Sequence, residues 1–544
     1  MTTFVDLIRR RATEDPGGTA YTFTAGGQAE RLGYGELEHA ARSVAVGLRE
    51  IAAPGDRVLV MCSPGLRFVV AFAAALYAGV IAVPVYPPTN PRSLTRLAGI
   101  AQDAKPVALV ADAPVLALLA TLDDGQLGDL PLLAVEDFPA TGADLPGLPR
   151  PDDVAFLQYT SGSTGDPKGV VVTHGNLVHN SEVIRDRMAL SRDSVCVSWL
   201  PPYHDMGLVG GILQPLHTGF HGVLLTPLEF LQRPLCWLEA VSAYGGTVSG
   251  GPDFAFDLCV QRYDPETGPE LDLRSWAVAF SGSEPIKSRT LQRFAEHFAS
   301  CGLRRTALYP CYGLAEATLF VSGGPVGREP VILRARTEAL ARGVVEPAPD
   351  GDLALVGCGG PHPELPVCVA DPQTLDPLPD GQVGEILVAG PSVAQGYWNR
   401  TDDHLFHAEV SGAAHLRTGD LGFLLDGELF VTGRNKDVLI IRGRNHYPQD
   451  IEDTVERGHP LVRTRGVAAF TVDDRLVVAV EIADPAAAGE VVAAVRAAVA
   501  EEHGLAAQVV PVAPRGVPKA SNGKLQRGRC RALYLDGELP PVLP

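Results

Sequence analysis

The chain has 544 residues, more than one hydrophobic core usually serves, so the sequence predicts two or more domains. Apolar residues (46%) and charged residues (20%) occur in the proportions of a globular protein, and the net charge of −19 disfavours nucleic-acid and anionic-membrane partners. The nine cysteines show no CxxC or Cys/His spacing suited to zinc, and the first residues lack a secretory signal. We therefore expect a cytoplasmic protein with free thiols.

Short β-branched runs, such as residues 57–62 and 106–112, alternate with helical patterns through the first 430 residues. This alternation is typical of layered α/β folds. Residues 68–85 carry no charge and reach the minimum length of a membrane-spanning helix, but Gly79 divides them into an Ala-rich segment and a β-branched run. They predict a buried helix and a buried strand, and no membrane span. Residues 114–151, rich in Leu, Pro, Gly and Asp, predict peripheral structure.

The sequence changes character near residue 434, where polar turns flank a short apolar strand and an acidic helix start. Residues 475–482 then predict a strand, with Asp484 as a helix N-cap, a valine face on the helix, and Gly504 at its end. We therefore expect a large multi-layer α/β domain over residues 1–435 and a small mobile α+β domain over residues 436–544.

Two basic clusters stand out in the last quarter of this acidic chain. Such clusters can bind phosphate locally although the average charge is negative. The first contains Arg434, Lys436, Arg442 and Arg444, and the second contains Lys519, Lys524, Arg527, Arg529 and Arg531.

The stretch TSGSTGDPKG (160–169) has the composition of a loop that wraps phosphate groups, with backbone N–H groups, hydroxyls and an ammonium directed at one anion. It lies between two apolar runs and therefore joins two strands. It is not a P-loop, because that motif needs Gly-Lys followed by Ser or Thr and a helix. Its candidate nucleotide contacts are Thr160, Ser161, Gly162, Ser163, Thr164, Gly165 and Lys168.

YTSGSTGDPKGVVVTHGNL resembles the phosphate loop of the acyl-adenylate-forming superfamily, which includes acyl-CoA synthetases, peptide-synthetase adenylation domains and luciferases. Further motifs follow in the order of that family. WLPPYHDMGL (199–208) resembles the segment bordering the acyl pocket, which places His204 near the reacting carboxylate. The resemblance implies acyl-pocket roles for His204, Met206, Gly207, Ser281 and Gly282. By itself, a lone His is more often structural.

CYGLAEAT (311–318) resembles the adenine-binding motif, in which Tyr312 and Gly313 contact the nucleotide and Glu316 is a ligand of Mg²⁺. LRTGD (416–420) resembles the ribose motif, in which Asp420 accepts hydrogen bonds from both ribose hydroxyls. GRNKD (433–437) implies a nucleotide contact for Arg434 and a domain hinge at Lys436. VPKASNGKLQR (517–527) resembles the motif whose lysine, here Lys524, enters the site during adenylation.

The reaction implied by this resemblance has a clear electrostatic requirement. A carboxylate is already ionised at pH 7 and needs no general base to attack the α-phosphorus of ATP. The obstacle is that both reactants are anionic, so the site needs cations and fixed donors. The implied catalytic groups are Lys524, Glu316 and His204, and the implied cofactors are ATP and Mg²⁺, with Glu316 and Thr164 as metal ligands.

Several phrases, among them PDFAFDLC (252–259) and RGRNHYPQDIE, are similar to fatty acyl-AMP ligases, which pass the adenylate to a carrier protein. Residues 327–352 resemble the insertion that distinguishes this branch, although a surface loop without a role is the alternative. This branch implies an acyl carrier protein supplied in trans and a place in lipid, polyketide or nonribosomal peptide biosynthesis. The rival enzyme is an acyl-CoA synthetase, and the non-enzymatic alternative is a nucleotide or acyl binder that kept the fold.

Three positions depart from the expected pattern. Asp253 stands where Asn is expected, Ser283 where Ala is usual, and Ala520 where Thr is common. Asp253 matters most, since a carboxylate facing the acyl pocket would favour a polar or cationic substrate group.

Overall fold

The computed structural model describes residues 2–122, 125–143, 145, 147–161, 167–401, 403–441, 444–473, 475–519 and 525–541. Of the predicted site residues, Gly162, Ser163, Thr164, Gly165 and Lys524 lie outside these ranges, as does Arg442 of the first basic cluster.

The strands are short and spread over the whole chain. They are β1 (Thr19–Ala25), β2 (Gln28–Gly33), β3 (Arg57–Val60), β4 (Ile81–Pro84), β5 (Ala108–Ala111), β6 (Leu132–Ala134), β7 (Val154–Ser161), β8 (Pro167–Thr173), β9 (Val195–Ser198), β10 (His221–Leu224), β11 (Val248–Gly251), β12 (Val278–Ser281), β13 (Leu308–Gly313), β14 (Phe320–Gly323), β15 (Ile332–Ala335), β16 (Leu353–Val356), β17 (Gly360–Pro361), β18 (Val367–Ala370), β19 (Gly384–Val388), β20 (Ala408–Val410), β21 (Ala413–Leu425), β22 (Glu428–Arg434), β23 (Leu439–Ile441), β24 (Arg444–His446), β25 (Val462–Val472), β26 (Arg475–Ile482) and β27 (Ala507–Val512).

The α-helices are mostly ten to sixteen residues long. They are α1 (Phe4–Glu14), α2 (Tyr34–Leu48), α3 (Leu66–Ala78), α4 (Pro91–Ala104), α5 (Ala113–Leu122), α6 (His174–Arg187), α7 (Gln214–Thr218), α8 (Pro227–Gln232), α9 (Leu235–Tyr244), α10 (Asp253–Arg262), α11 (Ser288–His297), α12 (Thr337–Leu340), α13 (Asp403–Phe406), α14 (Pro448–Gly458), α15 (Ala488–His503) and α16 (Arg527–Leu535). Met206–Leu213 forms a π-helix, and single 3₁₀ turns include Ala315–Ala317, Asn435–Asp437 and Pro485–Ala487.

In the described chain before residue 435, three sheets have five or more strands, and β15 and β16 form a separate two-stranded sheet. One of the three has nine strands in the order β17-β14-β13-β12-β11-β9-β10-β1-β2, and another has six in the order β6-β5-β3-β4-β7-β8. The third contains β18, β19, β21 and β20, with β22 paired to β21. Strands β3, β4, β5 and β7 run parallel, as do β9 to β13, so the predicted layered α/β domain is confirmed.

The uncharged stretch at residues 68–85 is divided as its composition predicted. It contributes most of α3 and the strand β4, and Gly79 between them has φ 67°, a left-handed conformation that suits glycine. Phe72 of α3 packs edge-on against Phe156 of β7, with ring centroids 5.8 Å apart. In the described part of the chain no helix has the length and hydrophobicity needed to span a bilayer.

The segment after the sequence change near residue 434 has its own core. Strands β25, β26 and β27 form a three-stranded sheet against which α14 and α15 pack. The predicted valine face is present, with Val491, Val495 and Val499 fully buried. Asp484 caps the 3₁₀ turn Pro485–Ala487 rather than α15 itself, which begins at Ala488, and Gly504 ends α15 with φ 63°.

Residues 327–352 form an ordered unit instead of an isolated surface loop. Strand β15 pairs antiparallel with β16, and α12 lies between them in sequence. The apolar side chains of this unit pack on the sheet that contains β21 and β22 and on Tyr447, which lies beyond the predicted hinge. This cluster contains Ala335, Leu340, Val345, Leu421, Phe423, Phe430 and Tyr447. The amide of Asn445 also donates to the carbonyl of Ala341 at 3.1 Å.

Candidate active site

One cavity of about 1710 Å³ brings together residues from distant parts of the sequence. Strand ends, the π-helix and the 3₁₀ turn Asn435–Asp437 all contribute side chains to its wall. The predicted site residues that line it are Thr160, Lys168, His204, Met206, Gly282, Tyr312, Gly313, Glu316, Asp420, Arg434 and Lys436.

Asp420 lines one corner of this cavity and contacts both Arg434 and Tyr312 there. It lies on β21 directly opposite Arg434 of β22, and the Arg434 Nε is 3.2 Å from its Oδ1. Its Oδ2 accepts a hydrogen bond of 2.8 Å from the hydroxyl of Tyr312 at the end of β13. Asp420 and Tyr312 are each 8% exposed. The two oxygens of one carboxylate are therefore fixed in place, which is the geometry needed to receive two adjacent hydroxyl groups.

Glu316 lies in the 3₁₀ turn that follows β13, with Tyr397 and Lys168 next to it. The Tyr397 hydroxyl donates to Glu316 Oε1 at 2.6 Å, and the Lys168 Nζ lies 4.8 Å from the centroid of the Tyr397 ring. Tyr397 therefore connects the predicted metal ligand to the cation of the phosphate loop. Sequence reasoning missed Tyr397, because the bridge between Val170 and Tyr397 joins segments more than 200 residues apart.

His204 lies just before the π-helix, and its Nδ1 is 2.5 Å from Oδ1 of Asp205, another residue that the sequence did not single out. Met206 at the start of this helix lines the cavity. Gly207 and Ser281 do not line it within the described part of the chain. Gly207 instead packs so closely that a Cβ there would lie 2.0 Å from the carbonyl oxygen of Pro201, and Ser281 is fully buried at the end of β12. These two acyl-pocket predictions are therefore not supported.

Part of the cavity wall is apolar. Ile184, Met188, Leu190, Phe220 and Leu319 belong to it. A wall of aliphatic and aromatic side chains binds a hydrocarbon chain by the hydrophobic effect.

Asp253 accepts hydrogen bonds from groups within the protein. It is 4% exposed, its Oδ1 accepts from the amide of Lys287, and its Oδ2 lies 3.0 Å from the hydroxyl of Thr290 at the start of α11. Burial, assisted by the carboxylates of Glu284 and Asp257, raises the pKa of Asp253 to about 8. Both of its oxygens thus bind the start of α11, and Asp253 is also part of the cavity wall.

Ion pairs connect α11 and the preceding loop to the segment after residue 436. Lys287 lies 2.9 Å from Asp453 and 3.4 Å from Glu456, both on α14, and Arg289 lies 2.6 Å from Asp453. Arg465 pairs with Glu284 at 3.1 Å and covers the ring of Phe254.

The ends of the segment that contains Lys524 are also fixed. Lys519 and Leu525 form a β-bridge, the Gln526 amide donates to the carbonyl of Pro518, and both Lys519 and Leu525 line the cavity. Arg527 of the second basic cluster is bound by Glu452 at 2.7 Å and Asp437 at 3.2 Å. Its guanidinium therefore stabilises the protein at this place, which differs from the phosphate contact that the cluster suggested.

Comparison with known proteins identifies relatives along the whole chain. A family model described as AMP-binding enzyme matches residues 8–398, and one described as Disco-interacting protein 2-like, AMP domain, matches residues 436–542. The chain is 40% identical to the medium-chain-fatty-acid–[acyl-carrier-protein] ligase JamA of Moorena producens, over 99% of this chain and 96% of that protein. It is 37% identical to the long-chain-fatty-acid–AMP ligase FadD26 of Mycobacterium marinum, over 97% and 96%.

A solved structure shows the same fold. The fatty acyl-adenylate ligase from Legionella pneumophila, in complex with acyl adenylate and pyrophosphate, is 38% identical and superimposes with a TM-score of 0.77, over 99% of this chain and 97% of that one. The expected adenylate-forming fold is therefore confirmed.

Proposed function

Because the chain belongs to the AMP-binding enzyme family, we propose that it uses ATP to convert a fatty acid into an acyl-adenylate with release of pyrophosphate. In a second step it transfers the acyl group to the phosphopantetheine thiol of a carrier protein. The observation that carries this proposal is the fixed carboxylate of Asp420, with Tyr312 and Arg434, in the same cavity as Glu316, Lys168 and the apolar part of the wall. Such a cavity suits a ribonucleotide and a hydrocarbon chain.

The residues of the cavity meet the electrostatic requirement of the reaction. The substrate carboxylate is ionised at neutral pH, so the enzyme must bring two anions together and not remove a proton. Lys168 and Arg434 supply positive charge around the nucleotide, and Lys524 is proposed to add a third cation beside the carboxylate and the α-phosphate. His204, which lines the same cavity, is proposed to border the reacting carboxylate.

Glu316 is proposed to hold Mg²⁺ together with the ATP phosphates. A carboxylate oxygen is a hard ligand of the kind that Mg²⁺ prefers, and Mg²⁺ commonly takes only one or two carboxylates beside phosphates and water. The bound ion would neutralise phosphate charge. Thr164, the second proposed ligand, lies outside the described ranges.

Transfer to a carrier protein, in preference to coenzyme A, is supported by the unit at residues 327–352. This unit contacts both sides of the proposed hinge at Lys436, through its packing on Phe423 and Tyr447 and through the Ala341 to Asn445 hydrogen bond. We propose that it limits the rotation of a small domain (436–544) against a large one (1–435). The names of the relatives favour the same acceptor, since JamA is named as an acyl-carrier-protein ligase.

The proposal is tested by following pyrophosphate release with ATP and a panel of carboxylic acids, with hydroxylamine to trap the adenylate. Acid-dependent pyrophosphate release is expected, and its absence with every acid would favour the non-catalytic binder. The acceptor is then tested by adding either coenzyme A or a phosphopantetheinylated carrier protein. Thioester on the carrier alone supports the ligase, whereas a coenzyme A thioester at a comparable rate would identify an acyl-CoA synthetase.

A further inference from the structure

Helix α4 lies alongside the hairpin β7–β8, which carries the phosphate loop at its tip. The hydroxyl of Tyr159 on β7 donates to Asp103 on α4 at 2.6 Å. One helical turn earlier, a Cβ on Gly99 would be 3.9 Å from Cγ of Pro167, the first residue of β8. Tyr159 is paired with Gly169 and Ser161 with Pro167, so the contacts move toward the tip as α4 is followed toward its N-terminus.

One turn of the helix and two residues of a strand span nearly the same length. Four helical residues rise about 6 Å, and two strand residues cover about 6.6 Å, so each turn of α4 corresponds to about one residue pair on one face of the hairpin. The turn that precedes Gly99 contains Arg96. Arg96 therefore lies further toward the tip of the hairpin than the pair of Ser161 and Pro167.

Arg96 faces the active-site cavity. It lines the same cavity as Thr160 and Lys168, and partial burial lowers the pKa of its guanidinium although the nearby Tyr86 opposes this effect. A partly desolvated guanidinium interacts with phosphate oxygens more strongly than a surface cation does.

We propose that Arg96 binds the β- and γ-phosphates of ATP and then the leaving pyrophosphate, together with Lys168. This inference rests on the proposed adenylation. In that step a carboxylate oxygen forms a bond to the α-phosphorus, the bond from the α-phosphorus to the bridging oxygen breaks, and its electron pair stays on pyrophosphate. The planar guanidinium can bind two phosphate oxygens at once and would stabilise this growing charge.

Three substitutions test the proposal. R96Q and R96M remove the charge, and R96K keeps a positive charge without the two-pronged geometry. The matched control is K105N, which removes one exposed positive charge at the other end of α4, at a left-handed position that suits Asn. Melting temperatures identify the variants that fold.

Direct binding of pyrophosphate, measured by calorimetry without acid or ATP, is the main readout. Affinity is expected to fall about 10- to 100-fold in R96Q and R96M, and several-fold in R96K, while K105N stays at the wild-type value. In steady-state assays the KM for ATP and the inhibition constant for pyrophosphate should rise, and the KM for the acid should not change. A purely structural residue would alter all of these constants together or none.

Wild-type pyrophosphate affinity in R96M, or in R96K if only R96K folds, overturns the inference. Failure of the proposed function gives a different result, because the wild-type protein would then release no pyrophosphate with any acid. The binding measurement does not depend on turnover and therefore separates the two failures.

Discussion

The nucleotide corner, formed by Tyr312, Asp420 and Arg434, differs in construction from the contact between α11 and α14. Tyr312 and Asp420 are buried and held by paired strands, whereas Lys287 and Arg289 reach Asp453 as side chains that are 29%, 35% and 24% exposed. Buried hydrogen-bonded groups are costly to disturb, but ion pairs of this exposure typically contribute about 0–1 kcal/mol each. We therefore expect the proposed movement of the segment after residue 436 to leave the groups that receive the nucleotide in place.

The largest expected effect tests the contribution of that segment. Lys524→Ala should lower the rate of adenylate formation by about 100-fold or more, since the lysine is proposed to act in the transition state. ATP affinity should change little, because Asp420, Tyr312 and Arg434, the proposed nucleotide contacts, are kept. Single-turnover adenylation and equilibrium ATP binding measure the two quantities. The exposed Arg529→Ala, five residues away, is the control, and an unchanged rate in Lys524→Ala would remove the assigned role.

The nucleotide corner itself is tested by Asp420→Ala. This change removes the proposed acceptor of the ribose hydroxyls. It also removes the ion-pair partner of Arg434 and the hydrogen-bond acceptor of Tyr312, so the KM for ATP should rise about 10- to 100-fold. Glu409→Ala, an exposed carboxylate on β20 of the same sheet, should leave this constant unchanged. An ATP dependence equal to that of the wild-type protein would show that Asp420 does not bind the nucleotide.

A smaller effect is expected from the double variant Lys287→Gln/Arg289→Gln. It removes the charges that face Asp453 and Glu456, so the observed arrangement should be populated less and adenylation should slow about two- to five-fold. The wild-type rate should also fall with added salt, and the variant rate should respond less. Arg304→Gln, an exposed arginine elsewhere on the same part of the chain, is the control. Equal salt dependence in the variant and the wild-type protein would contradict this role for the ion pairs.

The sequence predicted those features that local patterns encode. Gly79 marked the boundary between α3 and β4, and the motifs around Tyr312, Asp420 and Arg434 predicted side chains that meet in one cavity. These predictions succeeded because hydrophobic periodicity and compact motifs lie within short segments. Tyr397 and Arg96 could not be found in this way, since their positions follow from sheet order and helix register.

Within the part of the chain that the structure describes, two of the acyl-pocket residues implied by the resemblance do not line the cavity. Gly207 and Ser281 were expected at the acyl pocket, yet Gly207 is closely packed, Ser281 is buried, and neither belongs to the described cavity wall. Whether a side chain points into a cavity depends on the rotation of its element, which sequence spacing alone fixes poorly at a π-helix or a strand end.

The smallest expected effect concerns Asp253, which is buried like Tyr312 and Asp420. The Thr290 hydroxyl lies 3.0 Å from Asp253 Oδ2 and 2.9 Å from Asp257 Oδ2, but its one proton can be donated to only one of them. If Asp253 is protonated, it donates to the Thr290 oxygen, and Thr290 donates to Asp257. With a native pKa of about 8 and an unfolded pKa near 4, this residue adds stability fully below pH ~4, and the contribution is lost as the pH rises to about 8.

Asp253→Asn mimics the protonated form and should raise the melting temperature by several degrees at pH 8.5 and by little at pH 5. Asp264→Asn, on the exposed loop after α10, should show no such trend. A gain for Asp253→Asn that is independent of pH would show that Asp253 is ionised in the folded protein throughout this range.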